Sequence, residues 1–343
     1  MQPNYQYGVY IGRFQPLHIG HEHVIREALS KVETLIVVVG SAYQARTPVN
    51  PFTYDERRAM IEAVFKHEIS TGRMIVMPLM DYDPDTRWAH HLRNDVHGIV
   101  LDRLNKGGIR LHGLKDTTIA LAGYGKDASS YYLNMFPEWG SIQLTTQHGT
   151  INASDIRWDY LRSLPRMPHD AVSGSILAWL KEFSLTEAFK DLIAYKKALQ
   201  EGREFYGTGP FLAADALVSH RGKILLVTRG KAVGKGTLAM PGGFLNDGEP
   251  FFYAACRELK EETGLEMAEL EKYLVGHQVA DKPDRSLRGR IVSVVYHFEL
   301  PDSIEIPTVE GRDDAAHAGW YSFADLRPEQ FFEDHYTLIS NAF

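Results

Sequence analysis

The sequence predicts an α/β protein of two domains, the first of them built on a doubly wound parallel sheet. Three observations support this prediction. The chain has 343 residues, a length at which the hydrophobic core usually divides into two. Its N-terminal segment alternates strand, helix and strand, which implies a right-handed parallel crossover. Its C-terminal half contains a glycine-rich loop that leads into an amphipathic helix, with strand-like segments on either side.

The composition is that of an ordinary globular protein, with 44% hydrophobic and 24% charged residues. No apolar run approaches the ~18 residues of a membrane-spanning helix. The N-terminus lacks a signal-peptide pattern, and the single cysteine, Cys256, excludes an intrachain disulfide. We therefore expect a cytoplasmic location and no membrane partner. The net charge of −7 argues against nucleic-acid binding, which needs clustered Lys and Arg.

The first crossover carries the sequence GRFQPLHIGH between its strand and its helix. The predicted strand, helix and second strand are residues 7–14, 20–31 and 34–39. His18 and His21 are three residues apart at the helix start, so both rings can face one point above its N–H groups, which favour phosphate. Gly20 allows close approach of the backbone. A lone histidine would more often be structural, but this pair at a strand–helix turn indicates phosphate binding.

These residues resemble the HxGH signature of the nucleotidyltransferase superfamily. A second signature supports the resemblance, because INASDIR at residues 151–157 is similar to the family pattern ISSTxxR, with departures at Asn152 and Ala153. The resemblance implies catalytic roles for His18, His21 and Arg157. It also implies nucleotide-binding roles for a further set, Gly12, Arg13, Phe14, Gly20 and Ser154.

The segment between the two signatures resembles the archaeal-type nicotinamide mononucleotide adenylyltransferases. The similar stretches are GSA at 40–42, Arg46, NPFT at 50–53, ERR at 56–58 and GYGKD at 123–127. The resemblance implies substrate contacts for Arg46 and Asn50, and a place for Lys126 and Asp127 in the nucleotide pocket. Thr53 and Glu56 have a purely structural explanation, since they form a capping box for the helix that follows.

Trp88 follows the predicted strand at 74–79. In the family a tryptophan at this place stacks on the nicotinamide ring, which suits a flat aromatic partner. The alternative is a core tryptophan on the predicted helix 86–104. The reaction implied is adenylyl transfer, in which the 5′-phosphate of nicotinamide mononucleotide attacks the α-phosphorus of ATP and forms NAD. Mg²⁺ would bridge the triphosphate.

The pattern becomes helical between residues 169 and 206, and Gly207, Gly209 and Pro210 then mark a loop. We predict an adenylyltransferase domain at residues 1–183, a helical linker at 184–206 and a second domain at 207–343.

The second domain is organised around the acidic helix between Pro250 and Gly264, residues typical of a helix start and stop. Glu258, Glu261 and Glu262 project together beside its apolar stripe. The alternative is a solvated acidic face. The glycine pair at 242–243, however, lies before the helix, where main-chain carbonyls can add oxygen ligands. Mg²⁺ prefers such an oxygen-rich set.

The spacing from Gly243 to Leu265 resembles the Nudix box at every defined position. The resemblance implies a Nudix α/β/α sandwich that hydrolyses a nucleoside diphosphate linked to another group, with Glu258 and Glu262 as catalytic residues. It implies a Mg²⁺ site, in which Mn²⁺ can substitute, with Gly242, Glu258, Glu261 and Glu262 as its ligands. For the further carboxylate that Nudix enzymes often use we select Asp314, with Glu310 and Asp313 as alternates.

The two resemblances together match a bifunctional family whose Nudix domain is an ADP-ribose pyrophosphatase. The expected ligands are then ATP, nicotinamide mononucleotide, NAD and ADP-ribose, and a homo-oligomer is compatible with the sequence. One alternative keeps the folds but uses nicotinate mononucleotide and another dinucleotide or sugar nucleotide. A second is a non-catalytic Nudix regulator that senses ADP-ribose, although such sensors commonly lose the box glutamates that this chain retains.

Overall fold

The structure is a computed structural model, and it describes residues 5–82, 84–106, 118–123, 135–144, 151–266 and 269–342. The chain divides into two compact units. The first comprises Met1–Tyr43 and Val49–Thr186, and the second comprises Gln44–Pro48 and Glu187–Phe343. The segment predicted as a linker thus falls mostly within the second unit. In the described ranges, every helix is too short or too polar to cross a membrane.

The first unit contains a parallel sheet of five strands in the described residues, which confirms the predicted doubly wound class. Its strands are β1 (Tyr5–Gly12), β2 (Val32–Val39), β3 (Met74–Pro78), β4 (Ile119–Gly123) and β5 (Gly140–Gln143). Their order is β3-β2-β1-β4-β5, and every neighbouring pair is parallel. The strand order reverses direction at β1. The carboxyl ends of β1 and β4 therefore form the switch point at which such sheets bind ligands.

Helices follow the strands of this sheet. They are α1 (Ile19–Lys31), α2 (Tyr54–Ser70), α3 (Asp85–Lys106), α4 (Ala153–Tyr160) and α5 (Gly174–Phe183). The predicted capping box at α2 is confirmed, because Thr53 Oγ1 accepts the Glu56 N–H at 3.3 Å and Glu56 Oε2 accepts the Thr53 N–H at 2.8 Å. α2 extends to Ser70 and contains one non-helical residue, Phe65. Buried residues of α3, including Leu92 and Val96, pack on the sheet.

The second unit contains a mixed sheet of seven strands in the described residues. The strands are β6 (Phe211–His220), β7 (Lys223–Arg229), β8 (Leu238–Ala239), β9 (Gly242–Phe244), β10 (Leu274–Ala280), β11 (Ile291–Glu299) and β12 (Ala315–Ser322). The main path is β10-β11-β6-β7-β12, while β8 pairs with β7 and β9 with β6. β11 runs parallel to β6, and the other pairs are antiparallel. β6 and β7 form a hairpin, in which Ser219 pairs with Ile224 and His220 with Lys223.

The helices of the second unit are α6 (Glu187–Tyr206), α7 (Phe251–Thr263) and α8 (His335–Ser340). α7 is the predicted acidic helix, and its boundaries agree with the sequence signals. Pro250 is its N-cap, and Gly264 ends it in the left-handed region at φ 69°. Its buried face, formed by Ala254, Ala255 and Leu259, packs on the sheet. This packing fixes the direction in which the neighbouring carboxylates project.

Candidate active sites

The turn between β1 and α1 brings the two predicted histidines together. His18 is buried and is the N-cap of α1, where its Nδ1 accepts the His21 N–H at 3.4 Å. The two rings stack with centroids 3.7 Å apart at an interplanar angle of 24°. The imidazole pair therefore lies at a helix N-terminus, which favours a phosphate group.

Three further predicted residues belong to this turn. Phe14 has φ 50°, and its ring meets His21 edge-on with centroids 4.9 Å apart. A Cβ on Gly12 would lie 2.7 Å from the Phe14 ring, so only glycine fits there without displacing the ring. Gly20 is the second residue of α1. The turn is thus folded by local contacts that leave the histidines stacked.

Arg157 on α4 reaches the same turn. Its guanidinium is buried and donates to Gln15 O at 2.6 Å and to Ser154 Oγ at 2.9 Å. Burial, together with the charge of Arg13, lowers the pKa of Arg157 to about 10, so it still carries its charge at neutral pH. Asn152, a departure from the family pattern, is the N-cap of α4 and accepts the Ser154 N–H at 2.9 Å. The substitution therefore preserves the helix that presents Arg157.

Other predicted residues of this site are less closely tied to the turn. Asn50 is half-buried, two residues before Phe52, whose main chain bonds the Gln15 side chain. Arg46 belongs to Gln44–Pro48, which groups with the second unit. Trp88 lies on α3 and packs against the core beside Phe136, as in the structural alternative. Lys126 and Asp127 lie outside the described residues.

The second candidate site is the acidic side of α7. Arg257 binds Glu249 through both carboxylate oxygens, each at 2.8 Å, and this pair braces the helix against the loop before it. Its remaining nitrogen, NH1, donates to Glu258 at 2.7 Å and to Glu261 at 2.9 Å. One guanidinium therefore gathers two of the three carboxylates predicted as metal ligands. Burial raises the pKa of Glu258.

Glu262 differs from its two neighbours because it is buried and faces the glycine pair. Within the described residues its carboxylate accepts one hydrogen bond, from the Gly242 N–H at 3.2 Å. Burial raises the pKa of Glu262 to about 8, since little compensates its charge. A Cβ on Gly243 would lie 2.3 Å from Glu258 Oε1, so this carboxylate rests against the main chain of Gly243. The glycine pair thus allows two carboxylates to approach the backbone.

A cavity of about 50 Å³ adjoins Glu262. Its wall combines acids and bases, namely Asp215, Arg229, Glu262, Arg285, Arg288 and His335. Arg285 is paired with Asp334, whereas the Arg229 guanidinium lies 4.0 Å over the Phe332 ring and donates from Nε to Val233 O. The cavity therefore offers cationic groups beside Glu262, the carboxylate predicted to be catalytic, and this combination suits an anionic substrate.

The downstream carboxylates lie in a loop anchored to the end of α7. The Glu310 N–H donates to Thr263 O and the Arg312 N–H to Glu262 O, both at 3.0 Å. Asp314 forms an ion pair with Lys231. Asp313, by contrast, is among the charges that raise the pKa of Glu258, after burial. The Lys231 contact thus engages the carboxylate of our first choice, Asp314, and on this ground we prefer the alternate Asp313 as the further carboxylate.

The donor set of α7 fits a hard divalent cation by its chemistry, since carboxylate and main-chain oxygens are what Mg²⁺ and Mn²⁺ bind. The buried, weakly compensated Glu262 carboxylate is the observation that supports this fit. As the side chains stand, no three His, Cys, Asp or Glu residues converge as metal ligands in the described ranges. Glu258 and Glu261 instead share Arg257, which a bound cation would have to displace.

The sequence analysis did not identify three residues that the structure places at or beside the two candidate sites, namely Gln15, Arg57 and Asp215. Gln15 locks the β1–α1 turn to the loop before α2, because its amide bonds both N and O of Phe52 at 3.0 and 2.9 Å. Asp215 is buried in β6 and accepts a hydrogen bond from Ser293, and burial raises its pKa to about 6. A signal existed for Asp215, since it is the one charge in the apolar run AADALV.

Comparisons with known proteins match both units of the chain. The Cytidylyltransferase-like family model matches residues 9–102, and the NUDIX domain model matches residues 209–342. The nicotinamide/nicotinic acid mononucleotide adenylyltransferase of Acinetobacter baylyi is 32% identical over 188 residues, which cover 55% of this chain and 92% of that protein. The ADP-ribose pyrophosphatase of Methanocaldococcus jannaschii is 34% identical over 170 residues, covering 50% of this chain and 92% of that one.

Fold and sites together define an enzyme with a nucleotidyltransferase unit and a Nudix unit. A crystal structure of a bifunctional NMN adenylyltransferase/ADP-ribose pyrophosphatase from Francisella tularensis matches with a TM-score of 0.84 at 30% identity, covering 98% of both chains. A second crystal structure, of the complex with AMP and a Mn ion, matches with a TM-score of 0.82 at 29% identity and also covers 98% of both chains. The chain belongs to the family of bifunctional NMN adenylyltransferase/ADP-ribose pyrophosphatases.

Proposed function

We propose that the chain catalyses two reactions of NAD metabolism. The first unit transfers the adenylyl group of ATP to nicotinamide mononucleotide, which gives NAD and pyrophosphate. The second unit hydrolyses ADP-ribose to AMP and ribose 5-phosphate. The observation that supports the proposal most directly is that one chain holds both a stacked histidine pair at a helix N-terminus and an intact carboxylate trio on the Nudix helix.

In the transfer reaction, an oxygen of the mononucleotide 5′-phosphate attacks the α-phosphorus of ATP, and pyrophosphate leaves. No protein nucleophile is required, so the residues act by in-line positioning and by stabilising charge. We assign charge stabilisation on the triphosphate to His18, His21 and Arg157, the last of which is held against the turn by its bond to Gln15 O. Mg²⁺ would neutralise part of the triphosphate charge.

In the hydrolysis, a water oxygen attacks one phosphorus of the diphosphate, and the bond to the bridging oxygen breaks. We assign the divalent metal to Glu258, Glu261, Glu262 and the carbonyl of Gly242, with Mg²⁺ as the natural ion and Mn²⁺ as a substitute. When bound, the metal would neutralise diphosphate charge and lower the pKa of a water. The cationic side of the cavity, with Arg229 beside Glu262, would receive the anionic groups of ADP-ribose.

Nicotinate mononucleotide is a second candidate for the first unit. It is favoured because the Acinetobacter baylyi relative is named for both mononucleotides. The two acceptors differ only in a carboxamide or a carboxylate on the ring, and both carry the attacking 5′-phosphate. A direct comparison of kcat/KM for the two is therefore the measurement that separates them.

The test supplies the full-length protein with Mg²⁺, ATP and either mononucleotide, and separately with ADP-ribose, NAD, NADH or nucleoside triphosphates, and identifies products by chromatography. We expect NAD from the first mixture and AMP with ribose 5-phosphate from ADP-ribose. His18→Ala should abolish only the first activity and Glu262→Gln only the second, so each variant is the other's control. If NAD is cleaved faster than ADP-ribose, NAD is the substrate of the second unit in place of ADP-ribose. If ADP-ribose is bound but not cleaved, the second unit is a sensor.

A further inference from the structure

Arg57 on α2 is the largest fully buried side chain of the described residues, with 1% of its surface exposed. Within the described ranges it forms no ion pair. Its partners are main-chain carbonyls, although a buried charge is normally paired with an opposite one. Its neighbour Arg58 shows the ordinary pattern, since that side chain is half exposed and pairs with Glu62 at 2.8 Å.

The carbonyls that Arg57 binds come from three separate segments. NH1 donates to Arg13 O at 2.8 Å and to Gly40 O at 2.7 Å, and NH2 donates to Ser41 O at 3.0 Å. Nε donates to Thr53 O at 3.2 Å. The guanidinium thus joins the carboxyl ends of β1 and β2 to the start of α2. Arg13 opens the turn that carries both histidines.

The same edge of the sheet has an excess of positive charge. Burial is the largest influence on Arg57 and lowers its pKa to about 10, with Arg13 acting in the same direction and Asp81 opposing both. Arg13 also lowers the pKa of the buried Arg157. Arg57 and Arg157, each with a pKa of about 10, retain their charge at neutral pH. Asp81 and Glu56 offset part of the Arg57 charge, but every described hydrogen bond of its guanidinium goes to a carbonyl. The positive charges of Arg13, Arg57 and Arg157 therefore lie together at an edge that suits an anion.

We propose that Arg57 is a positioning residue for adenylyl transfer, one that fixes the β1–α1 turn through its carbonyls and adds buried positive charge that favours the ATP polyphosphate. This inference rests on the proposed function of the first unit. The two contributions can be separated by substitution. Lysine keeps the charge but cannot bind four carbonyls, whereas methionine of similar length loses both.

The experiment measures kcat and the KM for ATP in full-length Arg57→Met, Arg57→Lys and Arg58→Met, with ADP-ribose hydrolysis as the internal control. Inorganic pyrophosphate is the second probe, through its inhibition constant. We expect Arg57→Met to raise both the ATP KM and the pyrophosphate inhibition constant at least tenfold and to lower kcat. Arg57→Lys should restore both constants to within about threefold of wild type while kcat stays at least tenfold low. Arg58→Met, which removes an exposed charge one residue away, should change each value less than twofold.

An ATP KM and pyrophosphate inhibition constant that stay unchanged in folded Arg57→Met would overturn the inference, because a purely structural role lowers only the active fraction. If the methionine variant does not fold, Arg57→Lys decides alone, and a wild-type kcat in that variant refutes the positioning role. Failure of the proposed function gives a different result, namely no NAD from the wild-type protein itself.

Discussion

Replacement of Gly243 by alanine would test the Nudix site with little change elsewhere. The new Cβ would lie 2.3, 2.6 and 2.9 Å from Oε1, Cδ and Oε2 of Glu258, and these are its three nearest atoms. Ordinary contacts start at 3.4 Å, so the carboxylate has to move by about 1 Å. The obstructed group is the end of a flexible side chain, and φ of Gly243 is not in the left-handed region.

These distances set the expected magnitude. A misplacement of about 1 Å in a reacting or ligating group costs ~10²-fold in rate, or about 2.7 kcal/mol of barrier. Stability should change far less, because Glu258 can rotate away and alanine is better than glycine in a strand by roughly 0.5–1 kcal/mol. We therefore expect hydrolysis of ADP-ribose to fall ~10²-fold while the free energy of unfolding stays within about 1 kcal/mol.

The assay is steady-state release of AMP, and NAD synthesis by the same preparation reports its active concentration. Gly276→Ala on β10 is the matched control, since its Cβ would meet nothing within 4 Å. Gly242→Ala is the opposite control, because its Cβ would lie 2.7 Å from Ala214 O, a main-chain atom that cannot rotate away. That variant should lose stability. Hydrolysis by Gly243→Ala within threefold of wild type would refute the assigned role of Glu258.

Three further predictions follow from the second unit. Burial lowers the pKa of His335 well below 6.5, so acid favours the unfolded state, which takes up the proton. As the pH falls from about 7.5 to 5.5, this should reduce the free energy of unfolding by about 1.4 kcal/mol. His335→Asn keeps an acceptor for the Met240 N–H and should remove that part of the pH dependence. The measurement is a series of urea titrations followed by pulsed hydrogen exchange. Gly264→Ala forces a Cβ onto a residue at φ 69° and should lower the same free energy by about 1 kcal/mol, whereas an unchanged value would contradict the C-cap assignment. Asp313→Asn should slow hydrolysis at least ~10-fold, whereas Asp314→Asn should slow it less than twofold. If Asp314→Asn instead shows the larger loss of kcat, Asp314 is the downstream carboxylate.

Features determined by a few neighbouring residues were predictable from the sequence. The limits of α7 follow from Pro250 and Gly264, and the position of its carboxylates follows from helical periodicity. The histidine pair is equally local, because three residues at a helix start suffice to stack the rings. The capping box at Thr53 belongs to the same group. In each case the residues that indicate the structural feature are also the residues that form it, and they lie within a short stretch of the chain.

Features that depend on distant segments were not predictable in the same way. The parallel pairing of β11 with β6 joins strands separated by the whole Nudix helix, and no local pattern specifies it. The binding of Arg57 to the ends of two strands is likewise invisible in the run ERR, since its partners come from other segments. The preference for Asp313 over Asp314 depends on which side chain Lys231 engages, and only the folded loop decides that.

The forked contacts of Arg257 have a consequence for how the Nudix unit acquires its cofactor. Because this guanidinium already holds Glu249, Glu258 and Glu261, the mutual repulsion of the acids is relieved without any cation. We therefore expect a chelator to abolish hydrolysis while the unit remains folded. Addition of the divalent ion should then restore hydrolysis at once, without a delay for refolding. The folded unit would then be ready to take up a cation without first having to be organised by it.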